Sequence, residues 1–105
     1  MKLRYAALAA LSACLVGSSA QAITNADVLD IMSEKERFAY VAATVEMTAY
    51  LATLSGNRTR SQCIVDWYFH TENAPGNVLQ ALERFRDNTP QALIYAMINQ
   101  QCGNP

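Results

Sequence analysis

The chain has 105 residues, 51% of them hydrophobic and 16% charged, with a formal net charge of −1. Lys35, Arg37, Arg58, Arg60, Arg84 and Arg86 are scattered rather than massed into a stripe, which speaks against a nucleic-acid-binding face. The single histidine with Cys63 and Cys102, at the spacings they occupy, forms no recognised zinc pattern, and nothing implies a cofactor.

The first 22 residues read as a leader. Lys2 and Arg4 form a short basic region, residues 5–16 (YAALAALSACLV) an apolar run, and Ala20-Gln21-Ala22 a small-x-small cleavage signal. The expected location is the periplasm, reached by a cleavable signal peptide. Leu11-Ser12-Ala13-Cys14 also fits a lipobox, in which Cys14 would be lipidated and anchor the chain to a membrane. After removal of 22 residues, six basic residues face nine acidic ones, a net charge of −3. The expected division is a leader over 1–22 and one helical domain over 23–105. A domain this small sits near the size at which a core alone is marginal and covalent staples become common.

Downstream the pattern is helical throughout. Asn25 is a candidate cap for a short helix over 26–32. Ser33 and Glu36 form a capping box that opens a long helix over 34–54, and Gly56 ends it. On a helical wheel Phe38, Val41, Ala42, Val45, Ala49 and Ala52 share one face, while Tyr40, Met47, Leu51 and Leu54 lie opposite. Between Phe38 and Leu54 the single charge is Glu46. A helix apolar nearly all round calls for burial on both sides, so it serves either as the central helix or as half of a homodimer interface. In the second case Glu46 would be desolvated and its protonation would bear on assembly, making it a pH-sensitive position. The helix is at the short limit for a membrane span, and Glu46 with several threonines speaks against one.

Thr59 and Gln62 form a second candidate capping box, for a helix over 60–70. Cys63, Trp67 and His70 recur on one face, with Ile64 and Tyr68 flanking, and Trp67 is expected in the core. Asn73-Ala-Pro-Gly76 reads as a helix break. A helix over 77–88 follows, with Val78, Leu82 and Phe85 inward. Asn88-Thr89-Pro90 stops it and opens a last helix over 90–102, with Leu93, Ile94, Met97 and Ile98 inward and Cys102 at its end. The expected fold is therefore all-α: a small bundle of four to five helices closed by one disulfide.

That disulfide joins Cys63 to Cys102, the two cysteines left after the leader, since an even count in a small exported protein reads as a bridge. A loop of about 40 residues predicts roughly 4 kcal/mol of stabilisation in the chain-entropy account.

No catalytic centre is suggested. His70 lies near Asp66 and Glu72 but has no nucleophile, and is expected to meet the carbonyls at its helix end. Candidate partner contacts are Arg58 and Arg60 in "RTR" and Tyr68 and Phe69 in the aromatic run.

"RFAYVAATVEMTAYL" and "VLQALERFRDNTPQALIYAMINQQCG" resemble the long helix and the closing helix pair of the Rap1a/Tai immunity-protein family. The positions of Cys63 and Cys102 resemble that family's disulfide. Three positions depart from it: Ala43 stands where the family usually has glycine, Asn88-Thr89-Pro90 replaces its His-Pro-Glu element, and Gln101 precedes Cys102 where it has proline. The resemblance implies a small exported helical inhibitor, without catalytic activity, that neutralises a peptidoglycan-degrading enzyme. The alternatives are an acid-stress chaperone resembling the HdeA type and a structural accessory of the envelope.

Overall fold

The computed structural model describes residues 22–105; the basic region, the apolar run, Cys14 and the first two residues of the cleavage signal lie outside them. The described chain is all-α. It contains α1 (Asn25–Asp30), α2 (Glu34–Leu54), α3 (Arg58–Phe69), α4 (Ala74–Arg84) and α5 (Pro90–Cys102). Cys63 and Cys102 are disulfide-bonded, with Cα atoms 5.9 Å apart.

Each boundary has a local cause. Ser33 Oγ accepts from Glu36 N–H and the Glu36 carboxylate accepts from Ser33 N–H, both at 3.2 Å, so the expected capping box opens α2. Its far end is a Schellman turn. Gly56 adopts φ +85°, its N–H donates to Thr53 O at 3.0 Å, and Asn57 N–H donates to Ala52 O at 2.8 Å. Asn57 then caps α3, its side-chain oxygen accepting from Arg60 N–H at 3.0 Å. The expected Thr59–Gln62 box does not form, because the three-residue connection of Ser55, Gly56 and Asn57 starts α3 two residues earlier; Gln62 donates to Asp66 instead.

Three other expectations are corrected. Thr24, not Asn25, caps α1, because Asp27 stands at the third helical position and completes a reciprocal box with Thr24. Asn25 is buried, and its Nδ2 donates to Phe85 O at 2.7 Å. Asn73-Ala-Pro-Gly76 opens α4 rather than merely breaking its predecessor: Pro75 lies in the first turn, where its missing N–H leaves no bond unmade. Because α4 ends at Arg84, Phe85 leaves the inward stripe and is exposed. Thr89 caps α5 with Pro90 following, as expected.

The core is formed by Val28 of α1, Val41, Val45, Ala49 and Ala52 of α2, Ile64 and Tyr68 of α3, Val78 and Leu82 of α4, and Ile94 and Ile98 of α5. The inward face of α3 is thus Arg60–Ile64–Tyr68 at i, i+4 spacing. Trp67, expected in the core, packs half-buried against it, and His70 is exposed. The first helix docks on the α4–α5 turn: Asn25 N–H donates to Asn88 O and Ala26 N–H to Arg86 O. From the other side Arg37 reaches back to the carbonyls of Val28 and Leu29, a cation at the negative end of α1.

Candidate binding surfaces

The sequence left the two sides of α2 undecided. The structure buries Val41, Val45, Ala49 and Ala52, and turns Ala43, Met47, Tyr50, Leu51 and Leu54 to solvent. Met47 is 57% exposed and Leu54 64%, high values for side chains of this size on a helix whose other face is sealed. Tyr40, Ala43, Met47, Tyr50 and Leu54 follow one another at spacings of three, four, three and four residues. That is the a/d alternation of a helix seam that another helix can cover. Glu46 is exposed beside this stripe. A groove of about 610 Å³ runs along one edge of the stripe between α2 and α5, bounded by Tyr40, Ala43, Met47, Gln91 and Tyr95. Gln91 donates to the Tyr40 hydroxyl across it.

A second concavity of about 550 Å³ lies where the N-terminal turns of α2 and α4 meet the C-terminal end of α3. Phe38, Val41, Pro75 and Leu79 form apolar walls, and Tyr68 lines it from within the core. Glu34, Lys35 and Arg37 stand around it. Tyr68 is only 2% exposed, and burial pushes its phenol pKa up. The ring lies edge-on between Trp67 and Phe69, with centroids 5.9 and 4.9 Å away.

The four candidate contact residues separate. Arg58 and Phe69 are exposed. Arg60 and Tyr68 are not surface contacts. Arg60 is 6% exposed because its guanidinium turns inward to the end of α5, donating to Asn99 Oδ1 at 2.6 Å and to the Gly103 carbonyl. Tyr68 is held in the core one turn beyond Ile64. Arg86 is engaged with Asp30 and Glu83. His70 sits at the end of α3, its backbone N–H donating to Asp66 O at 3.1 Å; its side chain makes no hydrogen bond among the described residues.

Among the described residues no group of three His, Cys, Asp or Glu is placed to hold a metal ion, and no helix is long and apolar enough to cross a membrane. No family model matches the chain, nor does any curated protein or solved structure.

Proposed function

We propose that this chain is an exported, non-catalytic binding protein of the bacterial envelope, an immunity-type inhibitor of a peptidoglycan-degrading enzyme that works as a homodimer joined through α2. The observation that carries the binding role is the uncharged, heptad-spaced face of α2 left open to solvent. The choice of an immunity protein rests on the resemblance of the long helix and the closing pair.

A second copy suits the α2 face by size. In an antiparallel pair centred between Thr48 and Ala49, Ala43 of one protomer faces Leu54 of the other, and Met47 faces Tyr50. Ala43 thus leaves room for Leu54, and Met47 and Tyr50 fill the central layers, as close packing of two helices requires. A parallel pair would set alanine against alanine and leave a gap. In the antiparallel pair the two Glu46 carboxylates are offset by five residues along the axis and do not oppose each other. The exposed side chains of this face and Tyr95 offer on the order of 600 Å² per protomer, just under the roughly 800 Å² of a standard interface.

Purification of the tagged chain from the periplasm at neutral pH, with identification of whatever co-elutes, tests the function. One exported hydrolase at one-to-one stoichiometry supports the inhibitor. Partial unfolding at low pH, with suppression of aggregation of unrelated proteins, would replace it with an acid-stress chaperone. A chain with neither property is an envelope accessory. Sedimentation tests the dimer: Met47→Glu should yield a monomer of unchanged helicity, and a wild-type monomer at high concentration overturns the α2 interface.

A further inference from the structure

Met47 is the chemically reactive position of the α2 seam. The other residues of the stripe, Tyr40, Ala43, Tyr50 and Leu54, resist a mild two-electron oxidant, whereas a thioether does not. Met47 is 57% exposed. Met32 and Met97 are partly buried and packed against the core, and Cys63 and Cys102 are already joined in a disulfide. Among the described residues Met47 therefore offers the most accessible reduced sulfur.

Its surroundings make oxidation consequential. In the antiparallel pair Met47 lies beside the twofold axis and faces Tyr50 of the other protomer. A thioether suits that layer, being apolar and able to pack against an aromatic ring. Three polar groups that share the α2–α5 groove with Met47 are already committed. Thr44 donates to the Tyr40 carbonyl at 3.0 Å, Thr48 to the Thr44 carbonyl at 2.9 Å, and Gln91 to the Tyr40 hydroxyl. A sulfoxide oxygen enclosed there would receive no hydrogen bond from these three, and burying a polar atom unpaired is costly. The interface is also small enough to open. On the order of 600 Å² per protomer lies under the roughly 800 Å² of a standard interface, so pair and monomer exchange, and the monomer presents Met47 to solvent.

We propose that Met47 is an oxidation-sensitive site whose sulfoxide dissociates the α2 pair, a regulation that rests on the homodimer reading of this face. The Met47 sulfur attacks one oxygen of hydrogen peroxide. The S–O bond forms as the O–O bond breaks; the thioether gives up two electrons and becomes the sulfoxide, and the peroxide leaves as water. Oxidation favours the monomer, and reduction of the sulfoxide restores the pair.

Hydrogen peroxide is the probe, added to the purified chain at neutral pH. Peptide mass spectrometry locates the added oxygen, and sedimentation measures the dimer. Met47 should oxidise about tenfold faster than Met32 and Met97, and more slowly as protein concentration rises through the dimer range. Its oxidation should weaken the dimer about tenfold or more. Met47→Leu should show the same dimer affinity before and after peroxide, while Met32→Leu should respond as the wild type does. A wild type that is monomeric before any peroxide overturns the α2 interface and this switch together. A dimer whose affinity survives full oxidation of Met47, or a Met47→Leu dimer that still dissociates in peroxide, overturns the switch alone and leaves the interface standing.

Discussion

Arg60 in α3 donates from Nη2 to Oδ1 of Asn99 in α5 at 2.6 Å, across 39 residues of sequence. The same guanidinium donates to the Gly103 carbonyl, so a buried cation is met by neutral oxygens at the negative end of α5. Arg60→Ala removes both bonds and leaves their acceptors unsatisfied, and should lower unfolding stability by about 2–3 kcal/mol. Arg60→Lys keeps the charge but not the planar fork, and should recover only part of that. Urea unfolding of the oxidised proteins measures both; an alanine variant as stable as wild type would mean the pair is incidental.

The bridge between Cys63 and Cys102 closes the chain at the same end of the bundle. Serine at both positions should cost about 4 kcal/mol in the chain-entropy account. That is a large share of the stability of a small domain. The expected result is a far lower urea midpoint with helicity at low denaturant largely retained, followed by circular dichroism.

Gly56 is the residue on which the α2–α3 turn depends. It adopts φ +85°, and no atom lies within 4 Å of where a Cβ would stand. Any penalty for Gly56→Ala is therefore backbone strain rather than collision, about 1–2 kcal/mol. Asn57→Ala at the adjoining cap should cost about 1 kcal/mol. If Gly56→Ala were neutral in thermal unfolding, the Schellman turn would not be the element that ends α2.

The capping box at Ser33 predicts a pH dependence. The Ser33 side-chain and backbone hydrogen bonds hold Glu36 below its ordinary carboxylate value of 4.5. A depressed carboxylate contributes stability above its unfolded value and loses it as pH falls through the folded one. Glu36→Gln should therefore melt slightly below wild type at neutral pH. The two should converge as pH falls below about 4.5. Melting curves from pH 7 to 3 test this; a gap that widened toward acid would have the wrong sign.

Elements with unambiguous caps were legible in the sequence. Ser33 with Glu36 fixed the start of α2, Gly56 its end, and Thr89-Pro90 the start of α5. Where two cap residues stand side by side, as Thr24 and Asn25 do, the third helical residue decides, and Asp27 favours Thr24. Pro75 was misread because proline ends one helix and starts another with equal ease, and only its position relative to Ala74 separates the two. The inward face of α3 was missed for a different reason. An arginine is rarely buried unless paired, and the oxygens that receive Arg60 lie 39 and 43 residues away. The solvent-facing side of α2 was beyond reach as well. A helix apolar all round has no preferred face of its own, and the placement of α3 and α5 selects it. The cleft at Tyr68 assembles from three helices and has no local signature.

Arg60 and Cys63 are one turn apart on α3, and Asn99 and Cys102 one turn apart on α5. The charged latch and the bridge therefore join the same two helices one turn apart. In a folded but still reduced chain the thiols would meet as neighbours at high effective concentration rather than through random collision of distant segments. Oxidation would then record a geometry already chosen, and loss of Arg60 would slow bridge formation as well as weaken the finished fold.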